Sequence, residues 1–245
     1  MTLPEVVLAL MWIGVTLYAV FAGADFGAGI WELATGGTRR AAAQRHLVEE
    51  RIGPVWEANH VWLIFVLVVL WTGFPTGFAA IMSTLYVPLT AAAIGIILRG
   101  AAFAFRKSVA DARVQQAFGL AFAASSLLTP FFLGVVAGAV ASGRVHVDPA
   151  SIDPFEPWVH PTSILGGTLA VVTCAYLAAT FLAADATRRG EADLADRHRA
   201  YGIVAAVATG VVAFAGIFVL HADAPDLFDG LTGRGLPLVV AAAAA

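Results

Sequence analysis

A carboxylate and a histidine stand at the start of a long apolar run between residues 51 and 71. The run reads "RIGPVWEANHVWLIFVLVVLW", and Glu57 and His60 lie near its beginning. Ionisable groups at membrane depth are costly, so they usually mark a path for a proton, an ion or a ligand. Residues three apart share one face of a helix. Because histidine titrates near neutral pH, Glu57 and His60 together predict a proton-handling site.

Two further charged residues lie in apolar runs. Asp25 stands in "YAVFAGADFGAG", and Arg99 comes about two turns before the basic end of a third run. An arginine there can hold a carboxylate ionised or bind a lipid headgroup. Each residue also has a structural alternative: Asp25 as a helix cap, Glu57 as an interfacial partner of Arg51, His60 as a packed histidine, and Arg99 as a side chain that snorkels to the interface.

The composition is that of a membrane protein with several spans. Of 245 residues, 60% are hydrophobic and 13% are charged, and the mean hydropathy is +0.83. Soluble domains carry about 25% charged residues. The net charge is -3, and no basic stripe is present to pair with phosphates. We therefore expect membrane lipid, and no nucleic acid, among the partners.

The apolar runs predict an all-α, polytopic transmembrane helix bundle. A spanning helix needs about 20 mostly apolar residues. Six runs meet this length, and a partial seventh begins at Leu236 and ends after ten residues, which favours a fragment of a longer protein. The six predicted spans are Glu5–Phe26, Val55–Phe74, Ser83–Phe105, Phe118–Ala141, Thr162–Ala183 and Gly202–Leu220.

The basic residues predict the orientation of these spans. Eleven of the 14 Lys and Arg residues fall in the first, third and fifth loops. By the positive-inside rule these loops lie in the cytoplasm, and the N-terminus is then outside. This places Asp25, Glu57, His60 and Arg99 near the cytoplasmic ends of the first three helices, so we expect Asp25 and Glu57 to be neighbours.

A faint internal repeat suggests two four-helix units. "TRRAAAQRH" follows the first span and "TRRGEADLADRH" follows the fifth, each after a carboxylate. The predicted division is a first four-helix bundle over 1–141 with the acidic motifs, an outer loop over 142–161, and an incomplete second bundle over 162–245. An equally good explanation is that the two arginine-rich cytoplasmic loops resemble one another by composition alone.

The glycines and histidines favour packing over cofactor binding. Gly23 and Gly27 form a G-x-x-x-G pair, which permits close approach of helices in lipid. All histidines but His60 fall in predicted loops or at helix ends, and the paired mid-helix histidines of a haem-binding bundle are absent. The sequence therefore predicts no haem and no metal held by this chain alone.

Three motifs resemble subunit II of the cytochrome bd-type quinol oxidases. They are "FAGADFGAGIWEL", "IGPVWEANHVWLIF" and "AAIMSTLYVPLTAAAIGIILRGAAFAFR", which occur in the family's order and spacing. Asp25 stands at the aspartate of the first family motif, Glu57 at the acidic position of the second, and Arg99 at the arginine of the third. Trp56 and Asn59 match the family pattern as interface or structural residues.

The resemblance implies a respiratory electron-transport complex in the bacterial inner (cytoplasmic) membrane. Its haem b and haem d are expected on a partner, subunit I, which oxidises quinol and reduces oxygen to water. This chain is expected to supply the proton pathway through Asp25, Glu57, His60 and Arg99. Quinone and small single-helix accessory subunits are further expected partners.

The sequence departs from the family pattern at three points. Glutamate replaces the usual aspartate at Glu57, and His60 stands where glutamine is common. The family usually has eight helices, whereas this chain stops within the seventh. Two other functions stay open: a proton-coupled transporter, which inverted repeats and broken helices would favour, and a purely structural partner of a haem subunit.

Overall fold

The computed structural model describes residues 2–35, 59–106, 109, 111–146 and 153–244. All regular secondary structure in these ranges is helical. The helices are α1 (Leu3–Thr35), α2 (described over Asn59–Gly73), α3 (Pro75–Thr84), α4 (Tyr86–Arg106), α5 (Ala112–Ala141), α6 (Pro161–Arg188), α7 (Ala192–Asp223), α8 (Pro225–Thr232) and α9 (Leu236–Ala244).

The helices confirm an all-α membrane bundle. Five of them, α1, α4, α5, α6 and α7, are long and apolar enough to cross a membrane, and α2 with α3 makes a sixth if the pair counts as one bent span. The axis turns by 116° between α2 and α3. Pro75 is the first residue of α3, and proline cannot continue the hydrogen-bond ladder of a preceding helix. The nine residues of α9 are too few to span the hydrocarbon core.

Several predicted boundaries are wrong because helices continue into polar or glycine-rich sequence, and one of them is the start at Phe118, since α5 begins at Ala112. The prediction ends the first helix at Phe26, but α1 continues to Thr35 and has 33 residues, or about 50 Å at the usual rise. Asp25 therefore lies well inside the helix and does not cap its end. The predicted start at Gly202 is also too late, since α7 begins at Ala192. Glycine has a low intrinsic helix propensity, but packing against neighbouring helices keeps these glycines helical.

Glycines allow α1 and α6 to approach closely. A Cβ on Gly27 would overlap the carbonyl oxygen of Cys174 and lie 2.6 Å from the Cβ of Ala178. A Cβ on Gly23 would lie 2.5 Å from Leu177 Cδ1. This is the small-residue packing that the G-x-x-x-G spacing predicts. It fixes α1, which carries Asp25, against the centre of the bundle.

Helix α2 packs antiparallel to α1. A Cβ on Gly14 would lie 2.7 Å from Phe65 Cδ1, and one on Gly73 would lie 3.5 Å from Val7 Cγ1. Following α2 back from Phe65 therefore brings Asn59 towards the turn of α1 that carries Asp25. Helix α1 also packs against α5 and α6. The division at residues 141 and 162, and the outward N-terminus, stay predictions.

Candidate functional site

Asp25 and Arg99 form an ion pair inside the bundle. Arg99 Nη2 lies 2.6 Å from Asp25 Oδ1 and also donates to the Asp25 carbonyl oxygen at 2.7 Å. The two side chains are 5% and 1% exposed. The pair therefore joins α1 to α4, and the alternative in which Arg99 snorkels to the interface is wrong.

Helix α5 completes the surroundings of the guanidinium. Arg99 Nη1 donates to Ser126 Oγ, and Ser126 Oγ donates to the Phe122 carbonyl oxygen. The guanidinium carbon lies 4.1 Å from the centre of the Phe122 ring and 5.1 Å from that of Phe26. Cation–π contacts of this kind strengthen when the groups are desolvated. Carboxylate, hydroxyl and two aromatic faces thus hold one buried positive charge.

A small cavity borders the ion pair on its α2 side. Asn59 and His60 line it together with Asp25, Arg99 and Tyr18, and its volume is about 10 Å³. Asn59 is 2% exposed, whereas His60 is half-buried. Three of the four predicted proton-path residues, and Asn59 as well, therefore meet at one place. A single water molecule needs about this much space.

Glu57 and Trp56 lie outside the described residues. The predicted neighbourhood of Asp25 and Glu57 therefore stays a prediction. In the sequence Glu57 precedes Asn59 by two residues and His60 by three, and both of these line the cavity.

The arrangement can stabilise charge and exchange protons, but its members differ in what they offer. Arginine stays protonated in proteins, so Arg99 supplies a fixed positive charge. Asp25 is its counter-charge within the bundle. Histidine can both accept and donate a proton. His60 is thus the described side chain of this cluster best suited to pass a proton on, with Asp25 and Arg99 shaping the field around it.

The sequence analysis missed the contribution of α5. Ser126 and Phe122 lie in a predicted span without charged residues, and nothing in their spacing marks them as partners of Arg99. One signal was available, since Ser125 and Ser126 form a polar pair within an apolar run. Hydroxyls buried in a membrane helix commonly bond the preceding turn, so the pair alone does not predict a contact with arginine.

A second polar cluster lies at the opposite ends of α5, α6 and α7. Asp223 Oδ2 accepts from Thr162 N at 2.9 Å and from Thr162 Oγ1 at 2.6 Å. Its Oδ1 lies 3.0 Å from Arg144 Nη2. The Thr162 amide is one of the free N–H groups that begin α6. Because these bonds satisfy the carboxylate, the cluster serves to fasten helix ends.

Neither of two cavities among the described residues offers both the room and an axial ligand for a haem. The cavity beside His60 has a volume of about 10 Å³. A larger apolar groove of about 550 Å³ runs between α1, α5 and α6, and neither His nor Met lines it. The prediction that His198 lies in a loop is wrong, because His198 is buried within α7. In the described part of the chain no three His, Cys, Asp or Glu side chains group as a metal site.

Comparison with known proteins gives a family match over almost the whole chain. The family model described as cytochrome bd terminal oxidase subunit II matches residues 3–245. A solved structure described as bd oxidase from Geobacillus thermodenitrificans superposes with a TM-score of 0.79 at 25% identity, covering 98% of this chain and 73% of that chain.

Two similar relatives carry the same description. Cytochrome bd ubiquinol oxidase subunit 2 of Bacillus subtilis (strain 168) is 30% identical over 221 residues, which is 89% of this chain and 62% of the relative. Cytochrome bd-I ubiquinol oxidase subunit 2 of Escherichia coli (strain K12) is 28% identical over 231 residues, covering 89% and 58%. The chain thus spans about three-fifths of the length of these relatives.

Proposed function

This chain belongs to the cytochrome bd terminal oxidase subunit II family, and from that premise we propose that it works as the non-haem subunit of a quinol:oxygen oxidoreductase. The relatives are described as ubiquinol oxidase subunits. Quinol is the proposed electron donor and oxygen the proposed acceptor. The proposed location is the bacterial cytoplasmic membrane, with the arginine-rich loops on the cytoplasmic side.

The chain's proposed contribution to the reaction is proton delivery. Reducing oxygen to water consumes one proton for each electron, and these protons must cross part of the membrane. The observation that supports this role is the polar cluster of Asp25, Arg99, Asn59 and His60 around one small cavity. Charged groups are kept in membrane helices mainly where they serve transport or catalysis. Glu57 and His60 are the proposed proton carriers, and Asp25 with Arg99 forms the fixed ion pair beside His60.

The second proposed contribution is support of a haem-bearing partner, subunit I. Haem b and haem d belong to that partner in this proposal, because neither of the two cavities described above combines the space for a macrocycle with a histidine or methionine ligand. When bound there, they supply the electron transfer and the oxygen chemistry. Lipid, quinone and small single-helix subunits are the other proposed partners.

A purely structural function is the main competitor, and one observation favours it. The Asp25–Arg99 pair, with Ser126, joins three helices, as a device for holding the bundle together would. The two functions differ in Glu57 and His60, which a structural partner does not need as titratable groups. A proton-coupled transporter is a third reading, which co-purification with a haem-bearing chain would exclude.

The test is turnover in the purified complex. The complex is isolated through a tag on this chain, its haem content is read from the reduced-minus-oxidised spectrum, and quinol-dependent oxygen consumption is measured. We expect Glu57→Gln to keep the haem spectrum and to lower oxygen consumption by about 10²-fold, the lower end of what a positioned proton donor contributes. Glu156→Gln, in an exposed outer segment, is the matched control and should leave the rate unchanged.

Two results would contradict the proposal. A chain purified without haem and without a partner would exclude the oxidase complex. A full oxygen-consumption rate in Glu57→Gln and in His60→Leu, with normal haem content, would leave only the structural function.

A further inference from the structure

The side-chain amide of Asn59 has no hydrogen-bond partner among the described residues. Neither its oxygen nor its nitrogen bonds another group in the described part of the chain, and the residue is 2% exposed. A buried polar group without a partner is costly, and such groups in native proteins usually bind an ordered water molecule or an ion. The amide needs a ligand with both donor and acceptor capacity.

The space beside Asn59 is matched to one small polar ligand. The cavity has a volume of about 10 Å³ and is also lined by Asp25, Arg99, His60 and Tyr18. Arg99 Nε likewise finds no acceptor among the described residues. A buried water molecule typically makes about three hydrogen bonds. Here the amide can donate and accept, the guanidinium can donate, and the Asp25 carboxylate can accept.

We propose that this cavity is a binding site for a single water molecule, held by the Asn59 amide against the Asp25–Arg99 ion pair. A metal cation fits less well, because the guanidinium of Arg99 already supplies the positive charge of the site. An apolar ligand would leave the amide unsatisfied. Water has the required size and can both donate and accept hydrogen bonds.

The water has two roles, and only the second of them rests on the proposed proton pathway. Its first role is structural: it satisfies the Asn59 amide and the Nε donor of Arg99. Its second role is to place an exchangeable proton between His60 on α2 and Asp25 on α1. Asn59 acts through this water, so it is a positioning residue and makes no contact with quinol or oxygen.

Direct observation tests the site. The assembled complex in lipid nanodiscs is imaged by cryo-electron microscopy at a resolution that shows other buried water molecules. We expect one density peak within hydrogen-bond distance of the Asn59 amide and of Asp25 or Arg99. An empty cavity, or one filled by a protein side chain, would overturn the proposal.

Variants then test whether Asn59 holds the water. Asn59→Leu has nearly the same size but no polar group, so we expect loss of the density and an oxygen-consumption rate lowered about tenfold, the effect of losing one hydrogen bond to a charged network. Asn59→Ala leaves room for a second water molecule that can replace the amide in part, so we expect a smaller loss of rate than in Asn59→Leu. Leu67→Met changes an exposed side chain of the same helix that does not line the cavity and is the matched control, with the wild-type rate expected.

The outcomes separate this inference from the proposed function. Density that persists in Asn59→Leu, or equal losses of rate in the Leu and Ala variants, would show that the water is not held as proposed. If Asn59→Leu does not assemble, the wild-type density and the Ala variant still decide. A water molecule seen in wild type together with full turnover in Glu57→Gln would remove the proton pathway and leave the hydration site standing.

Discussion

The carboxylate of Asp25 and the guanidinium of Arg99 meet at 2.6 Å although 74 residues separate them in the sequence. Both side chains are buried, so neither charge is exposed to bulk water. An ion pair of this kind is costly to break, because removing one partner leaves the other charge buried and uncompensated. Asp25 and Arg99 therefore depend on each other, and a substitution of either residue also leaves the other charge without its partner.

Arg99→Gln should therefore destabilise the folded chain strongly. Loss of the guanidinium leaves Asp25 without its counter-charge, and such a loss costs about 3–5 kcal/mol. The measurement is the thermal transition of the detergent-solubilised complex, together with the yield of assembled complex. The double variant Asp25→Asn with Arg99→Gln removes both charges and should recover part of the loss.

The control for the arginine is Arg189→Gln. Arg189 pairs with Asp185 at 3.3 Å, but its side chain is 51% exposed, and exposed pairs contribute only about 0–1 kcal/mol. Equal stability loss in both arginine variants, or no recovery in the double variant, would show that the Asp25–Arg99 pair does not hold the fold.

Asp25→Asn should affect assembly of the complex as well as its rate, whereas Glu57→Gln should affect the rate alone. The asparagine leaves Arg99 buried without a counter-charge, so we expect less assembled complex and less haem in addition to slower oxygen consumption. Glu57→Gln should lower only the rate. The measurement is the ratio of oxygen consumption to bound haem in each variant. An Asp25→Asn complex with normal yield and a strongly lowered rate per haem would instead make Asp25 itself a proton carrier.

Ser126→Ala tests the contribution of α5 to the site. Ser126 Oγ accepts from Arg99 Nη1, and its loss leaves a buried charged donor unsatisfied, which costs about 1–3 kcal/mol. Ser125 is the adjacent buried hydroxyl, and it donates to the Phe122 carbonyl oxygen at 2.8 Å. Ser125→Ala should therefore have the smaller effect on the thermal transition. The reverse order would show that Arg99 does not depend on Ser126.

The sequence predicted the class of fold and the charged members of the site. Asp25 and Arg99 were recognisable because charges are rare in apolar runs, and the spans were recognisable from their length and hydropathy. The ion pair itself was not predictable, since Arg99 had an equal alternative at the interface and only the packing of α1 and α4 against α5 decides between them.

The extent of α1 was also beyond sequence reasoning. A segment with Gly23, Gly27 and Gly29 reads as the end of a helix, because glycine has low helix propensity. In the bundle, Gly27 lies against the Cys174 carbonyl and Gly29 against Ser126. The G-x-x-x-G spacing predicted close helix packing, but the atoms that each glycine meets are visible only when the neighbouring helices are in place.

Gly27→Ala should separate α1 from α6 and so weaken the support of Asp25. The new methyl group would overlap the Cys174 carbonyl oxygen and lie 2.6 Å from Ala178 Cβ, and backbone cannot move aside as a side chain can. Overpacking of this kind costs about 1–3 kcal/mol, so we expect a lower thermal transition and less assembled complex.

Gly210→Ala is the matched control for this glycine. It lies within α7, and a Cβ there meets no atom within 4 Å. Alanine favours a helix over glycine by about 1 kcal/mol, so the control should be neutral or slightly stabilising. Because both substitutions add the same methyl group to a membrane helix, a difference between them measures the close approach of α1 and α6. Equal behaviour of the two variants would mean that Gly27 is not needed for this helix contact, and that Asp25 is held against Arg99 by the other packing contacts of α1.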